Sequence, residues 1–344
     1  MESEPKEQER FMAAALREAR RGLGRTSPNP AVGAVITTSG KIVATGYHRR
    51  AGAPHAETVC LDAFRGGSTV DSTLYVTLEP CSTKQRTGPC TDAIIGAGIK
   101  RVVIGALDPN PAHNGHGLAL LRKAGIEVTA GILERECEAL NEGFNKWIQT
   151  GRPFAIAKCA MTLDGRLTLP ADGDRWITSA ASRHDAHRLR ANVDAILIGA
   201  ETLRMDNPRL TVRGIRGAKQ PWRVVLSRSG RIPKQSQLLG DRHAHRTLLH
   251  GRASLSDTLR QLGERNITSV LIEGGGDILS QALDERVIDK LVIYLAPVFA
   301  GGAVLAFGGD GASTTLEGTR IRDIKYEKIG QDISLSGYPD YTTP

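Results

Sequence analysis

Four residues in the first third of the chain are of the types that bind zinc and move protons. His55 and Glu57 stand two residues apart after a proline, in the stretch PHAETVC, and Cys81 and Cys90 each follow a proline farther on. Zinc favours nitrogen and sulfur ligands, and a catalytic zinc keeps one position open for water. The sequence therefore predicts a zinc site with His55, Cys81 and Cys90 as its ligands.

Glu57 is predicted to act on the substrate and not to bind the metal. A carboxylate beside a zinc-bound water can move the proton of that water to a leaving group. The pattern H-x-E followed by P-C-x-x-C is typical of zinc deaminases, although here residues 82–89 separate the two cysteines. Each motif alone is more often structural, but their order and their prolines together favour a catalytic zinc site.

The local sequence also indicates how the ligands are positioned. Proline is tolerated in the first turn of a helix, so PHAETVC and PCTDAII are both expected to begin helices. The positive end of a helix favours a thiolate, the form of cysteine that binds metal. Two helix N-termini at one edge of a sheet would bring the three ligands together. Cys60, Cys137 and Cys159 lack such surroundings, and we expect them to be core or surface thiols.

Strands and helices alternate along the first 150 residues, which predicts an α/β sandwich. Apolar periodicity and turn residues define its elements. They are a helix over 8–21, a hairpin of AVGAVITT and KIVATGYH around Ser39-Gly40, a helix from about residue 54, strands over 73–78, 101–109 and 126–132, and helices over 91–97 and 115–125.

A second domain is expected after QTGRPFAIAKCA, where Gly-Arg-Pro ends a helix and a new strand begins. We divide the chain into domains 1–150 and 151–344, because 344 residues exceed one typical core. The glycines of EGGG precede a helix, where backbone N–H groups can bind phosphate, although a glycine run is more often a plain turn. Strands are predicted at 195–200, 223–227, 269–276 and 291–297, with helices between them.

Composition and charge narrow the class of protein and of ligand. Hydrophobic residues make up 40% of the chain and charged residues 24%, which is typical of a soluble globular protein. No apolar run is long enough for a membrane span, and MESEPKEQER lacks a signal-peptide core, so we expect a cytoplasmic protein without membrane contact. The net charge of +8 is spread along the chain and aromatic residues make up 4%, which favours small phosphorylated ligands over nucleic acid.

Three arginines and one aspartate of the second half are further candidates. Guanidinium groups match phosphate in geometry, so Arg190, Arg209 and Arg213 are candidates to bind a substrate phosphate, although single arginines are more often solvated. Asp206, in MDNPRL, is either functional or a turn residue, since Asp-Asn-Pro favours turns.

Extended motifs in both halves resemble one known family. The first half contains TSPNPAVGAVI, GYHRRAGAPHAE, YVTLEPCS, RTGPC and DPNPAHNGHG, and the second contains KCAMTLDGRL, WITS, LRANVDAILIGAETLRMDNPRLTVR and IEGGGDIL. These stretches resemble the bifunctional deaminase/reductase family of riboflavin biosynthesis, whose spacing between the two cysteines is also found here. The resemblance implies a cytidine-deaminase-like α/β/α sandwich followed by a dihydrofolate-reductase-like α/β domain.

The same resemblance implies two consecutive reactions. Water replaces the 2-amino group of 2,5-diamino-6-(5-phosphoribosylamino)pyrimidin-4-one in a zinc-dependent deamination, and NADPH then reduces the ribosyl group of the product to ribityl. Zn²⁺ and NADPH are the implied cofactors, and a small phosphorylated pyrimidine is the implied substrate. The sequence leaves open whether the protein is a homo-oligomer.

By position, the resemblance also places residues in each of the two pockets. The deaminase pocket would contain Asn29, His48, Thr83, Arg86, Asp108 and Asn110. The reductase pocket, with its substrate and cofactor, would contain Lys158, Ala160, Thr162, Asp164, Gly165, Trp176, Thr178, Arg190, Gly199, Thr202, Asp206, Asn207, Leu210, Arg213, Ser227, Glu273, Gly274 and Gly275.

Thr83 departs from the family pattern, which usually has histidine two residues after the first cysteine. A hydroxyl keeps one hydrogen bond but loses the imidazole, so a one-activity enzyme with a weakened deaminase is one alternative. A nucleic-acid deaminase is another, but it would not explain the second α/β half. A binding or regulatory protein without catalysis is a third, and the intact set of His55, Glu57, Cys81 and Cys90 argues against it.

Overall fold

The computed structural model of the protein describes residues 4–67, 69, 71–83, 88–111, 113–167, 176–233, 235–314 and 316–342. Contacts between Cα atoms divide the chain into two units, Met1–Gly151 and Arg152–Pro344. Among the described residues, none of the helices combines the length and the apolar character that a membrane crossing requires.

The first unit is a five-stranded sheet between two layers of helices. The strands lie in the order β2-β1-β3-β4-β5, and β3, β4 and β5 run parallel to one another. All seven residues of β3 are buried, as expected for a central strand with helices on both faces. The strands are β1 (Gly33–Thr38), β2 (Lys41–Tyr47), β3 (Ser72–Leu78), β4 (Arg101–Ala106) and β5 (Glu127–Ala130).

Two hydrophobic clusters hold the helices of the first unit to its sheet. One cluster joins a sheet face to the second, third and fourth helices, and the other joins the opposite face to the first and fifth. The predicted α/β sandwich is therefore confirmed. The helices are α1 (Glu4–Arg20), α2 (Ala56–Phe64), α3 (Cys90–Gly96), α4 (His116–Lys123), α5 (Glu134–Leu140) and α6 (Glu142–Thr150).

The second unit contains an eight-stranded sheet in the order β12-β13-β11-β6-β10-β7-β8-β9. The six strands from β11 to β9 in this order are parallel, and the β12–β13 hairpin adds an antiparallel edge. The strands are β6 (Phe154–Thr162), β7 (Ala195–Gly199), β8 (Trp222–Ser227), β9 (Thr247–Gly251), β10 (Ser269–Ile272), β11 (Lys290–Ala296), β12 (Arg320–Ile329) and β13 (Asp332–Asp340).

Helices cover both faces of this sheet as well. Buried residues of the tenth and eleventh helices pack on one face. Buried residues of the eighth and ninth, with the partly buried Leu189 of the seventh, pack on the other. Ligands of parallel sheets bind outside the carboxyl ends of the strands, so this edge is where a site is expected. The helices are α7 (Ala180–Asn192), α8 (Ala200–Asp206), α9 (Gln237–Gly240), α10 (Leu255–Glu264) and α11 (Gly276–Asp284), with a 3-10 turn at Ala244–Arg246.

Most of the predicted elements are present, with corrections at their ends. The hairpin of β1 and β2 is confirmed, and Ser39 and Gly40 both have the positive φ that a two-residue hairpin turn requires. The strand predicted over 101–109 ends at Ala106, and the one over 269–276 ends at Ile272, because Pro and Gly residues follow. Strands β9, β12 and β13 were not predicted.

Candidate active sites

The three predicted zinc ligands meet in the first unit. His55 is the residue before α2, Cys90 is the first residue of α3, and Cys81 follows β3 by way of Glu79-Pro80. Their ligand atoms all lie within 4.8 Å of one another. The two expected helix starts are confirmed, and they bring together residues that are 35 positions apart.

The spacing of the donor atoms fits a tetrahedral zinc ion. His55 Nδ1 lies 3.3 Å from Cys90 Sγ and 3.6 Å from Cys81 Sγ. With zinc–nitrogen bonds of about 2.0–2.1 Å and zinc–sulfur bonds of about 2.3 Å, the nitrogen-to-sulfur edge of a tetrahedron is about 3.6 Å. One nitrogen and two sulfur donors leave the fourth position of such a site open.

The two thiols of the cluster are hydrogen-bonded to each other. A hydrogen bond from the Cys90 thiol, together with hydrogen bonds from His55 and from the Cys90 N–H, lowers the pKa of Cys81 to about 4. The same thiol–thiol hydrogen bond, with burial, raises the pKa of Cys90. The hydrogen bond to Cys81 also raises the pKa of His55. A metal cation among these atoms would displace the thiol proton, because zinc binds thiolates.

Glu57 lies in the first turn of α2 with only 3% of its surface exposed. Burial raises the pKa of its carboxyl group, while its own backbone N–H and the nearby His55 oppose that shift. A carboxyl group with a raised pKa is suited to accept and return a proton near neutral pH. The geometry thus places a buried carboxyl group two residues from the predicted zinc ligand His55, at the start of the same helix.

His48 and Asn29 form a hydrogen-bonded chain beside His55. His48 Nδ1 lies 3.1 Å from the Pro54 carbonyl oxygen, and His48 Nε2 lies 3.4 Å from Asn29 Nδ2. Because the carbonyl oxygen can only accept, Nδ1 carries the proton and Nε2 accepts from the amide. Burial lowers the pKa of His48, which favours the neutral form of the ring. Its ring stands edge-on to the His55 ring, with 5.5 Å between the centroids.

Asp108 and Asn110 lie on the loop after β4, and this loop is fixed by a residue that the sequence did not single out. The Glu79 carboxylate accepts hydrogen bonds from the N–H groups of Asp108, Gly115 and Leu118, at 3.1, 2.9 and 3.2 Å. Asp108 in turn accepts from the Asn110 N–H at 2.9 Å. One feature of the sequence indicates this role: Glu79 is a charged residue directly after the apolar run TLYVTL and directly before Pro80-Cys81.

Two predicted residues of the deaminase pocket lie in the segment between the cysteines. Thr83 is exposed, and Arg86 lies outside the described residues. Their roles therefore remain predictions.

In the second unit, Arg190 and Glu273 bind each other. Arg190 Nε and Nη2 donate to the two oxygens of Glu273, each at 2.6 Å, and Nη1 donates to the Thr211 carbonyl at 3.2 Å. Burial alone would raise the pKa of Glu273, but Arg190, Lys158 and His187 outweigh it and lower the pKa. Arg190 is thus already neutralised, which makes Arg213 and Arg209 the better candidates for a phosphate.

Three residues that sequence reasoning missed complete this cluster. The His187 Nδ1 accepts from the Arg213 N–H at 3.3 Å, and burial with the nearby arginines lowers the His187 pKa to about 4. Tyr294 donates to Asp185 at 2.7 Å, and Lys158 Nζ lies 5.9 Å from the Tyr294 ring. The spacing of Asp185, His187 and Arg190 along one helix was the only available signal.

The predicted glycines lie where α11 meets the end of β10. A side chain at Gly274 would come within 1.5 Å of Ile278, and one at Gly276 within 2.1 Å of the Leu305 carbonyl. The Gly275 N–H donates to Thr202 at 3.0 Å. Only glycine fits at positions 274 and 276, whereas a Cβ at Gly275 would make an ordinary contact with Thr202, and helix α11 begins at Gly276.

Thr162, Asp164 and Gly165 form a turn at the end of β6. The Thr162 hydroxyl donates to Asp164 at 2.6 Å, and Asp164 accepts from the N–H groups of Ala300 and Gly301. These hydrogen bonds lower the pKa of Asp164. The turn therefore fixes the segment that follows β11, and Gly165 supplies its positive φ.

The remaining predicted residues have varied surroundings. Trp176 is 51% exposed, with the Arg183 guanidinium 4.9 Å from its ring. Asn207 caps α8 in a left-handed conformation and accepts from the Gln237 N–H at 2.9 Å. The others are Thr178, whose carbonyl accepts from Arg183, Ala160 on β6, Gly199 at the end of β7, Asp206 at the end of α8, the buried Leu210, and Ser227 at the end of β8.

Known families match both halves of the chain. Residues 5–106 match the cytidine and deoxycytidylate deaminase zinc-binding region, and residues 153–335 match the RibD C-terminal domain. The riboflavin biosynthesis protein RibD of Aquifex aeolicus is 39% identical over 345 residues, which cover 94% of this chain and 96% of that protein. The chain belongs to the RibD family.

Solved structures of this family have the same fold over nearly the whole chain. Acinetobacter baumannii RibD superposes with a TM-score of 0.90 at 35% identity, covering 98% of this chain and all of that one. A Thermotoga maritima protein, described as a diaminohydroxyphosphoribosylaminopyrimidine deaminase/5-amino-6-(5-phosphoribosylamino)uracil reductase, superposes at 0.89 with 34% identity, covering 98% of this chain and 99% of that one. The two expected α/β folds, a deaminase-like sheet and a reductase-like sheet, are confirmed.

Proposed function

We propose that this chain catalyses two consecutive steps of riboflavin biosynthesis. The first domain, residues 1–150, would deaminate 2,5-diamino-6-(5-phosphoribosylamino)pyrimidin-4-one. The second, residues 151–344, would use NADPH to reduce the ribosyl group of the resulting uracil to ribityl. The observation that carries the proposal is the His55–Cys81–Cys90 cluster beside the buried Glu57, in a chain that matches the family along both halves.

Zinc is the metal that the donor set favours, and His55, Cys81 and Cys90 would hold it. When bound, it would lower the pKa of a water molecule, so that hydroxide would be available to attack the pyrimidine ring near neutral pH. Glu57 then accepts a proton from the water and delivers one to the departing 2-amino group, which leaves as ammonia. Its buried carboxyl group suits this exchange because its raised pKa lowers the cost of holding the proton.

The residues around the cluster would orient the pyrimidine. Asn29 and Asn110 have amide groups that can both donate and accept hydrogen bonds, and Asp108 adds a carboxyl group whose pKa burial raises. His48 has both ring nitrogens engaged, so we assign it to fixing Asn29 and the His55 loop. Thr83 and Arg86, on the segment between the cysteines, would contact the ribosyl phosphate side.

In the second domain, the cluster of Lys158, Arg190, Glu273, His187 and Tyr294 would bind the substrate that is to be reduced. The glycine turn at 274–276 would bind NADPH. Ring opening of the ribosylamine gives a C1′=N double bond; reduction adds a hydride from the cofactor to C1′ and a proton to the nitrogen, so that a C–N single bond remains. Arg190 and Glu273 neutralise each other, so their pair would orient neutral hydroxyl groups. Arg213 would bind the substrate phosphate, since its guanidinium has no carboxylate partner among the described residues.

Metal analysis combined with a turnover assay tests this proposal. We expect one zinc per chain, ammonia release from the diaminopyrimidinone phosphate without NADPH, and NADPH oxidation only after deamination. A chain that binds no zinc would contradict the zinc-dependent deamination. A chain that oxidises NADPH without deaminating the substrate would contradict the order of the two steps.

A further inference from the structure

A cleft of about 570 Å³ lies along α11, from Gly276 at its start to Asp284 at its end. Its walls are one face of α11, the segment 303–309 and Arg228, the residue directly after β8. The volume is within the range of small-molecule sites. The end of the cleft at Arg228 and Gly276 lies near the carboxyl ends of β8 and β10, the edge at which α/β sheets bind their ligands.

Arg228 is held in a tight turn between β8 and the following loop. The Ser227 carbonyl accepts from the Gly230 N–H at 3.1 Å, and the Ser227 hydroxyl donates to the Arg231 carbonyl at 3.0 Å. Because β8 and β9 pair in parallel, with Ser227 opposite Gly251, Arg252 comes to the same edge of the sheet. Its N–H donates to the Ser227 carbonyl at 2.9 Å. The turn therefore gives Arg228 a fixed backbone and an exposed side chain.

The charges around the cleft point to one place for an anion. Arg228 is the only basic residue among those described as lining it, and its guanidinium makes no hydrogen bond or ion pair within the described part of the chain. Asp277, Asp284 and Glu285 line the α11 side. Glu285 is engaged with the Ser256 N–H and the Gln281 amide. A phosphate in this cleft is repelled by the α11 side and attracted to the β8 side.

We propose that Arg228 binds the 2′-phosphate of NADPH and thereby selects NADPH over NADH. The inference rests on the proposed reductase function, and it assigns a residue that no sequence motif pointed to. The glycine turn at 274–276 would receive the diphosphate of the cofactor at the start of α11. Arg228 would then meet the adenosine end, where a phosphate dianion takes two guanidinium hydrogen bonds and the 2′-hydroxyl of NADH offers no charge. Arg252 adds a second positive charge at the same strand ends.

Binding of two nucleotide fragments to the full chain tests this directly. Adenosine 2′,5′-bisphosphate carries the discriminating phosphate and 5′-AMP lacks it, so calorimetry with both isolates the 2′ position without any turnover. We expect Arg228→Ala to weaken binding of the bisphosphate by about 10- to 100-fold, the range of a charged hydrogen-bonded contact, and to leave 5′-AMP unchanged. Arg216→Ala, which removes an equal charge from an exposed loop of the same unit, should change neither.

Kinetics give the second measurement. Arg228→Ala should lower kcat/KM for NADPH by the same factor and leave kcat/KM for NADH unchanged, while Arg228→Lys should keep part of the preference. Equal losses for the bisphosphate and 5′-AMP would place Arg228 on the shared phosphate and overturn the proposal, as would unchanged binding of both. If the chain prefers the bisphosphate through Arg228 but reduces nothing with either cofactor, the proposed reductase function fails and the assignment of Arg228 stands.

Discussion

At the scale of single residues, the predicted zinc ligands Cys81 and Cys90 differ from Cys60 in their contacts and in their pKa values. Cys81 and Cys90 are hydrogen-bonded to each other and contact His55, whereas Cys60 is fully buried and burial raises its pKa to about 12. A thiol held in its neutral form does not bind metal, because the thiolate is the ligand. The surroundings of each cysteine therefore determine whether its thiol can bind a metal.

This division predicts different outcomes for two cysteine variants. Cys81→Ala removes one of three ligands, so the purified chain should lose its zinc. Cys60→Ala removes an equally small side chain from the core of the same unit and should keep it. Metal content per chain by mass spectrometry decides the matter. Full zinc occupancy in Cys81→Ala would show that other residues bind the metal.

Thr83 stands where the family resemblance predicts histidine, and its replacement tests the effect of this difference on deamination. Histidine can hydrogen-bond and carry charge near pH 7, whereas the threonine hydroxyl is shorter and neutral. Thr83→His should raise kcat/KM for deamination by about 5- to 30-fold, equal to about 1–2 kcal/mol for one hydrogen bond to a charged partner. The rate of reduction should not change. If deamination stays the same or slows, the loop has adapted to threonine.

His187 gives a prediction on pH. Its pKa is lowered to about 4 in the folded protein, from an ordinary value of 6.5, by burial and by Arg190 and Arg213. The unfolded chain therefore takes up a proton on His187 between about pH 6.5 and 4 while the folded chain does not, so stability falls as the pH drops through this window. His187→Gln should reduce that fall, measured by hydrogen exchange of the β7 amides at both ends of the window. His245→Gln, an exposed control, should behave as the unaltered chain. Equal losses in the unaltered chain and His187→Gln would contradict the assignment.

At the scale of elements, the loop between β4 and α4 depends on one buried carboxylate. Glu79 accepts from three backbone N–H groups and is 5% exposed. Glu79→Gln places an amide donor against at least one of them, which should cost about 1–3 kcal/mol of the free energy of unfolding of the first unit. Because Asp108 and Asn110 lie on this loop, KM for deamination should rise while zinc is retained. Glu134→Gln, on the exposed face of α5, is the control. Unchanged stability and KM would show that the loop is held by other contacts.

The elements also show how far sequence reasoning reached and where it stopped. Apolar runs predicted β3 and β7, because nearly all residues of these central strands are buried and most of them are apolar. Strand β12 was missed because nearly all of its residues are exposed and many are charged, so it has no buried face to create a pattern. Its pairing with β13 is what brings Asp332 under the start of α7, where it accepts from the Ser179 N–H at 2.8 Å.

Some residues of the candidate sites could also be predicted from the sequence, and others could not. The zinc ligands were predictable from short motifs. In these motifs, proline indicates the start of a helix, and histidine and cysteine are the residue types that bind zinc. The pairing of Arg190 with Glu273 was not, because 83 positions separate them and only the order of β6, β10 and β7 brings them together. Glu79, His187 and Tyr294 act through such long-range contacts too, and no local pattern distinguishes them from ordinary core residues.

At the scale of the whole molecule, the chain combines two units whose sites do not share residues. The zinc cluster and its supporting residues all lie in the first unit, and the cluster around Lys158 and Glu273 lies in the second. Each unit has its own sheet and its own hydrophobic clusters. A substitution that stops one reaction should therefore leave the other intact.

Product analysis of Glu57→Gln tests this account most directly. Glutamine is similar in shape but cannot carry the proton, so deamination should fall by about 10²-fold or more, with zinc still bound. Mass spectrometry should then show the diamino substrate unchanged, while separately supplied deaminated substrate is reduced with NADPH at the rate of the unaltered chain. Near-normal deamination by Glu57→Gln, or loss of both reactions in a zinc-loaded and folded variant, would contradict the account.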